Sequence, residues 1–185
     1  MQDNRNKGVK YKRFFIVLCI VIAVLCIFSF AFFVVTIVNV KLFSGSMEDT
    51  ILKDSRIIGL RSSYWLDEPK RGDVIIFKAP DEPDITYVQR IIGLPGEKLR
   101  IENARIYITP ANGGEEYILE EVYLKEEWIS SEVFEYEIPE DSYFVLGDNR
   151  NDSYDSRYWN DKYVHNDEII GKAVMCYSPK IYMIE

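Results

Sequence analysis

The sequence predicts an all-β, antiparallel domain that follows one N-terminal transmembrane helix. A run of 27 residues from Phe14 to Val40 carries no charge. Beyond it, short stretches rich in β-branched and aromatic residues alternate with Gly, Pro, Asn and Asp, which is the pattern of strands joined by turns. No stretch after residue 45 has the apolar periodicity of a three-turn amphipathic helix.

The uncharged run is long enough to be a membrane anchor. About 20 apolar residues cross the hydrocarbon core of a bilayer, and only a helix satisfies its own backbone groups there. A cleavable secretory leader would have an apolar core of about 7 to 15 residues and a small-x-small exit. The exit sequence "TIVNVKLF" lacks that pattern. The sequence therefore predicts a retained anchor over residues 14–40.

Charge predicts the orientation of this anchor. Residues 1–13 hold five Lys/Arg and one Asp, and positive flanks remain in the cytoplasm. Residues 41–185 are therefore expected outside the cytoplasm. This outer domain has 17 Lys/Arg and 29 Asp/Glu, a net charge of −12. So negative a domain is poorly suited to bind nucleic-acid phosphates, and we expect no nucleic-acid partner.

Cysteine and histidine usage predicts neither a disulfide nor a metal site. Cys19 and Cys26 fall within the predicted anchor, which leaves Cys176 alone in the outer domain. His165 is the only histidine, and the sequence contains no CxxC pair and no glycine-rich loop of the nucleotide-binding type. We therefore expect a domain that is held by one hydrophobic core and needs no cofactor.

Five runs of the outer domain have strand composition, at 73–79, 86–94, 98–109, 142–148 and 169–178. Residues 111–141 differ, because they hold eleven Asp/Glu and a single Lys. Aromatic residues are interleaved with these charges, among them Tyr117, Tyr123, Trp128 and Phe134. A solvated flap or inserted hairpin is one interpretation of this segment, and a substrate-facing acidic surface is the other.

Three further stretches could carry chemistry. "SGSMEDT" (44–50) contains two serines, but a serine hydroxyl is a weak nucleophile without an adjacent base, and Ser-Gly-Ser is also common in linkers. "YVQRIIGLPGE" (87–97) ends in a Pro-Gly pair typical of a type II turn. "GDNRNDSYDSRYW" (147–159) has the composition of a loop whose carboxylates cap backbone amides and pair with arginines.

In this order behind an anchor, the three stretches resemble those of bacterial type I signal peptidases. "KRGDVIIFKAP" (70–80) and "IIGKA" (169–173) belong to the same match, and the short form with one anchor is similar to the Gram-positive type. The resemblance implies a membrane-bound serine endopeptidase of the Ser/Lys dyad class. Such enzymes remove signal peptides from exported proteins on the outer face, after small residues at −1 and −3. It also implies an extended groove in which the substrate docks as an added strand.

The resemblance also assigns roles to individual residues. Ser46 corresponds to the nucleophile, and Ser44 to the hydroxyl that, together with Ser46, helps to stabilise the oxyanion. The loop that supports the general base is represented by Ser153, Asp155 and Arg157. The base itself is a lysine in the family, and here Gln89 occupies that position. A glutamine amide does not accept a proton at physiological pH.

Three interpretations of Gln89 are open. The chain is a silent homologue that binds preproteins or a partner peptidase without cleaving them, or the substitution traps an otherwise active enzyme. Alternatively, the chain is a weak enzyme with a different proton acceptor, for which the candidates are Lys41, Lys78 and His165. Of these, His165 is expected on a loop remote from the serine. A structural module of the cell envelope, which binds no peptide, is the remaining alternative.

Two milder departures and one aromatic pair complete the sequence-based expectations. Asp49 occupies a position where the family commonly has proline, which is expected to loosen the turn after Ser46. Residues 151–152 reverse the family's usual order of acid and amide, a tolerable change. The pair Tyr64 and Trp65 is suited either to a membrane interface or to ordinary core packing.

Overall fold

The computed structural model describes residues 2–48 and 50–185, with side chains from residue 12 onward. Asp49, with the loosening effect expected of it, lies outside the described residues. The chain forms two compact units, an N-terminal one that ends at Ile37 and a second one, Val38–Glu185.

The first unit is a single helix, α1, Gln2–Thr36. Its Lys12–Thr36 part contains an 18-residue window with a mean hydropathy of 3.2 and is long and apolar enough to cross a membrane. The helix ends before Val40, the predicted end of the anchor, because Ile37–Lys41 forms strand β1 instead. Three of these five residues are β-branched, and such residues favour an extended backbone where a neighbouring strand is available.

The second unit contains a larger sheet of eight described strands. In chain order they are β1, β2 (Arg56–Leu60), β3 (Val74–Lys78), β4 (Thr86–Gly93), β9 (Ser142–Leu146), β10 (Val164–His165), β11 (Ile169–Ser178) and β12 (Tyr182–Met183). Their spatial order is β1-β2-β11-β3-β4-β9-β10, and β12 pairs with β11. The strand β4 is thus flanked by β3 on one side and by β9 on the other.

A smaller sheet follows the order β7-β6-β5-β8. Its strands are β5 (Lys98–Glu102), β6 (Arg105–Thr109), β7 (Tyr117–Ile118) and β8 (Phe134–Glu137). The predicted run 98–109 is therefore a hairpin and not one strand. Asn103 and Ala104 turn the chain with φ values of 49° and 56°, a pair of left-handed residues that matches the twist of a two-residue hairpin loop.

The predicted fold class is confirmed, since the neighbouring strands among β2 to β12 pair in antiparallel fashion in both sheets. Within the described residues after 45, the only helices are two short 3-10 turns, Arg61–Tyr64 and Asn166–Glu168. The sequence did not predict the short strands β1, β2, β7, β8, β10 and β12. Short strands have too few residues for alternation to stand out, and pairing with a neighbour decides them.

The core of the second unit positions the later site. One cluster joins Met47 and Ile51 to Ile57 and Ile76, and all four side chains are fully buried. This packing fixes the chain immediately after Ser46. Elsewhere, the aromatic pair is divided: Tyr64 packs against a neighbouring cluster and its hydroxyl donates to Asp73 Oδ2 at 2.9 Å, whereas Trp65 is exposed. A bilayer contact of Trp65 stays a prediction.

Candidate active site

The two serines lie in a tight turn between β1 and β2. The backbone N–H of Glu48 donates to Gly45 O at 3.0 Å, and the buried Met47 anchors the turn in the core. Ser44 is exposed and Ser46 is half-buried. The two hydroxyl oxygens, Ser44 Oγ and Ser46 Oγ, are 3.1 Å apart. The turn therefore presents both hydroxyls side by side on a rigid base.

The loop that follows β9 packs against this turn. Asn149 donates its backbone N–H to Ser46 O at 2.9 Å and its side-chain Nδ2 to Gly45 O at 3.1 Å. The N–H of Asp148 points to Met47 Sδ at 3.4 Å. These contacts join residues about 100 positions apart and fix the backbone of residues 45–47.

Gly147 occupies the closest point of this contact. A Cβ built on Gly147 would lie 2.3 Å from Ser153 Oγ and 2.4 Å from Ser46 O. Only a residue without a side chain fits there. Ser153 Oγ is buried and has no hydrogen-bond partner within the described part of the chain. The structure thus brings Ser153 next to the backbone of Ser46.

Asp155 and Arg157 form a buried ion pair inside the same loop. Arg157 Nε and Nη2 donate to the two carboxylate oxygens at 2.7 Å and 2.9 Å. Asp155 Oδ2 also accepts the backbone N–H of Gly147 at 3.2 Å. Because the carboxylate binds both Arg157 and Gly147, the pair fixes the loop where it meets Ser46.

Gln89 lies on β4, with 2% of its surface exposed. Its Nε2 donates to Tyr154 O at 3.0 Å, which connects it to the residue after Ser153. Its Oε1 is buried and has no partner among residues 2–48 and 50–185. An unpaired buried amide oxygen costs on the order of 1–3 kcal/mol. Gln89 therefore contacts the loop 147–157, and its side chain presents an unpaired amide oxygen and no basic group.

The next residue on β4 belongs to a network that the sequence did not single out. Arg90 Nε and Nη2 donate to Asp148 Oδ1 and Oδ2 at 2.8 Å and 2.7 Å, and both side chains are buried. Thr50 donates its hydroxyl to Asp148 Oδ2. The available signal was the presence of an acidic residue, Asp148, in "GDNRNDSYDSRYW" and of a basic residue, Arg90, in "YVQRIIGLPGE". The network connects the turn after Ser46, strand β4 and the supporting loop.

The three alternative proton acceptors differ in position, and Lys41 is the one that lies beside the two serines. Lys41 pairs with Asp54 at 3.0 Å, and Lys78 is an exposed residue at the end of β3. His165 was predicted on a loop, and this is wrong, because the fully buried Val164 draws both residues into strand β10. His165 Nδ1 lies 2.9 Å from Ser142 Oγ, at the end of β9 opposite to Gly147. Within the described residues, none of the three has a hydrogen bond to Ser46.

A groove of about 220 Å³ opens beside the serines. Residues 40–44 and Ser46 line one side, and residues 85–88 line the other. Strand β4 pairs with β3 from Thr86 onward, whereas β9 pairs with it only from Arg90. The β9-side edge of residues 86–88 therefore has no strand partner among the described residues. An extended peptide could add to this edge.

The acidic segment 111–141 is not solvated throughout. Glu121 is largely buried and forms an ion pair with Arg150. Trp128 is buried too, and the ring of Tyr123 faces the Arg90 guanidinium with its centroid 4.0 Å from Cζ. The interpretation as a solvated flap therefore fails for the middle of the segment, because its aromatic rings and one carboxylate cover buried arginines of the site.

Comparisons with known proteins identify the family. The family model described as "Signal peptidase, peptidase S26" matches residues 13–178. The chain is 35% identical over 144 residues to the probable signal peptidase I-2 of Synechocystis, covering 74% of this chain and 61% of that protein. It is 32% identical to the signal peptidase I of Aquifex aeolicus, covering 75% of each.

A crystal structure of a signal peptidase I from Enterococcus faecalis is 32% identical, with a TM-score of 0.47 over 57% of this chain and 97% of that one. The chain combines an antiparallel β unit, an apolar N-terminal helix and two adjacent serine hydroxyls. The chain belongs to the signal peptidase family, peptidase S26, which confirms the resemblance. It spans about three-fifths of the length of the Synechocystis relative.

Proposed function

We propose that this chain carries a signal-peptide site of the serine endopeptidase type, with Ser46 as the nucleophile. The observation that carries the proposal is the side-by-side placement of Ser44 Oγ and Ser46 Oγ, 3.1 Å apart, at a groove beside an open strand edge. The relatives named signal peptidase I support the same substrate class. The substrates are the signal peptides of exported preproteins, with small residues at −1 and −3.

The geometry supports a defined reaction. The preprotein lies along residues 86–88 as an added strand, and its scissile carbonyl faces Ser46 Oγ. As Oγ bonds to the carbonyl carbon, its proton moves to a base, and the oxyanion accepts hydrogen bonds from the Ser44 hydroxyl and the Ser46 N–H. The C–N bond then breaks, the amine leaves with the proton, and water hydrolyses the Ser46 ester.

The proton acceptor decides between two functions. In the family this role belongs to a lysine, which burial can keep neutral. Here the buried Gln89 donates to Tyr154 O and offers no basic nitrogen. This observation favours the second candidate, a silent homologue that binds preproteins or a partner peptidase without cleaving them. Loss of acid–base catalysis alone lowers the rate by about 10²- to 10⁴-fold.

The apolar helix supports a membrane-anchored protein. We propose that its N-terminal basic end faces the cytoplasm and that residues 41–185 lie outside. Preproteins in export are held at the same bilayer, so tethering raises their effective concentration at the groove. Protease sites inserted on each side of residues 14–36 test the orientation. In sealed right-side-out vesicles, we expect the N-terminal site to be protected and a site within residues 41–185 to be cleaved by added protease.

The test is cleavage of a purified preprotein by the full chain in liposomes, with binding of the same signal peptide measured in parallel. We expect binding with little or no cleavage by the chain with Gln89. We expect Gln89→Lys to cleave after a small-x-small site, faster as pH rises, because burial lowers the lysine pKa and the neutral form is the base. Ser46→Ala in that background should abolish cleavage, and Ser44→Ala should lower kcat by about 10²- to 10³-fold.

Each other result has a distinct meaning. Cleavage by the chain with Gln89 that Ser46→Ala abolishes identifies a peptidase with a different proton acceptor. A folded Gln89→Lys variant that binds peptide but stays inert contradicts the site assignment. Absence of peptide binding by every variant contradicts the peptidase and the preprotein-binding homologue, and leaves a homologue that binds a partner peptidase or a structural module of the envelope.

A further inference from the structure

Three buried arginines surround the candidate site, and each is paired with one carboxylate. Arg90 pairs with Asp148, and Arg157 pairs with Asp155, so these two pairs lie within the motif segments. The third, Arg150, pairs with Glu121, which comes from the acidic segment 111–141. The arginine and glutamate side chains of that third pair are only 2% and 10% exposed.

Arg150 connects the acidic segment directly to the site. Its Nε donates to Gly147 O at 3.0 Å, while Nη1 donates to Glu121 Oε2 at 3.0 Å. Burial by itself lowers the pKa of Arg150, but the Glu121 carboxylate more than offsets this and raises the pKa above its usual range. The guanidinium thus bridges Glu121 and the glycine at which Ser46 O and Ser153 meet.

Two aromatic rings of the same segment face all three arginines. The ring centroid of Trp128 lies 5.3 Å from Arg150 Cζ and 5.5 Å from Arg157 Cζ. That of Tyr123 lies 4.0 Å from Arg90 Cζ. Such contacts attract the cations electrostatically and exclude water from their ion pairs. The side chain of Asn151 also bonds the segment's backbone, through Glu127 O at 3.0 Å and the N–H of Ile129 at 3.0 Å.

We propose that Glu121, supported by Tyr123 and Trp128, is a positioning residue that holds the loop 147–157 against the Ser46 turn. Without its carboxylate, the buried Arg150 cation has no counter-ion in this contact and is drawn toward water. Its bond to Gly147 O is then strained or lost. The hydrogen bonds of the loop to Asp155 and to Ser46 O loosen with it. The proposal rests on the proposed function only for its catalytic readout.

The first test is independent of catalysis. Amide hydrogen exchange is measured at Gly147 and Asn149, whose N–H groups donate to Asp155 and Ser46 O, in the full chain in detergent. Glu121→Gln keeps the shape but removes the charge, and we expect exchange roughly tenfold faster or more, because local opening exposes these amides. The matched control Glu126→Gln, an exposed glutamate of the same segment, should leave exchange unchanged.

Equal exchange rates in Glu121→Gln and Glu126→Gln would overturn the proposal. If Glu121→Gln does not fold, Tyr123→Leu is measured in the same way. This change keeps the Glu121 carboxylate but removes both the ring over Arg90 and the hydroxyl that donates to Glu121 Oε1 at 2.8 Å. Faster exchange over the whole domain, rather than at 147–149 and the Ser46 turn, would also overturn it, because that result means general destabilisation.

The catalytic readout uses the Gln89→Lys background. The charged groups that face this loop are the three arginines with their three carboxylates, and Lys162, whose Nζ donates to Arg157 O at 3.1 Å. Glu121→Gln removes one of these negative charges, so it disfavours the protonated lysine, and the rising limb of the pH–rate profile should move to lower pH while kcat falls. Glu126→Gln should change neither. Loss of folded protein lowers the rate without moving that limb.

If Glu121→Gln leaves both the rising limb of the pH–rate profile and kcat unchanged, the positioning role is contradicted. If Gln89→Lys does not cleave in any background, the proposed function fails, whereas the exchange experiment still decides on Glu121. The two failures are therefore distinguishable.

Discussion

Replacing Gly147 with alanine places a methyl group where two oxygens already lie. The new Cβ would be 2.3 Å from Ser153 Oγ and 2.4 Å from Ser46 O. Carbon–oxygen contacts are ordinarily no closer than about 3.3 Å, so each oxygen must move by about 1 Å. The Ser153 side chain can rotate, but Ser46 O belongs to the backbone and is held by the Asn149 N–H at 2.9 Å.

The cost follows from these displacements. Overpacking of a buried site costs about 1–3 kcal/mol, and one lost backbone hydrogen bond adds about 1 kcal/mol. We therefore expect Gly147→Ala to lower the free energy of unfolding by about 2–4 kcal/mol. In the Gln89→Lys background, a Ser46 displacement of this size should also lower cleavage by about 10²-fold beyond the loss of folded protein.

The assay is equilibrium unfolding in detergent, followed by tryptophan fluorescence. Gly113→Ala is the matched control, because Gly113 has a positive φ of 77° but nothing within 4 Å of its built Cβ. Its cost is backbone strain of about 1–2 kcal/mol. If Gly147→Ala costs no more than Gly113→Ala, the close packing of the loop against Ser46 does not carry the stability argued here.

Two further predictions concern carboxylates. Asp148→Asn should lower the free energy of unfolding by about 3–5 kcal/mol, because it leaves the buried Arg90 without its counter-ion. Denaturant unfolding measures this loss. The control is Glu137→Gln, which breaks an exposed ion pair and should change the free energy of unfolding little. A loss no larger than that of the control would contradict the pair's role. Asp81 accepts the backbone N–H groups of residues 160–161, which lower its pKa below 3.8. Its stabilisation is therefore complete above pH 3.8 and is lost as pH falls through the lowered pKa. Asp81→Asn should flatten the fall of Tm with pH in this acid range, and an unchanged slope would contradict the prediction.

Local pattern was sufficient for much of this fold. The apolar run predicted helix α1, since its length and lack of charge leave a helix as the conformation that suits a bilayer. Five runs of β-branched and aromatic residues predicted strands of the second unit. Each of these features depends on residues close together in the chain, which is why the sequence alone indicates them.

The candidate site was predicted through motifs and not through geometry. The resemblance named Ser44, Ser46 and Gln89, but it gave no information on contacts between segments 40 and 100 residues apart. The Arg90–Asp148 network was missed for this reason, although both residues lie in the quoted motifs. The hairpin within 98–109 was missed because Asn103 and Ala104 gave only a weak turn signal.

By itself, the sequence determined the anchor helix, the β class, the family and the replacement of a base by Gln89, since composition and residue order carry all four. Only the tertiary structure decided which charges are buried. Glu121 looks like any of the eleven acidic residues of its segment in the sequence. It differs from them because the fold places it 3.0 Å from an arginine that is almost sealed from water, where one carboxylate changes the free energy far more than it does on the surface.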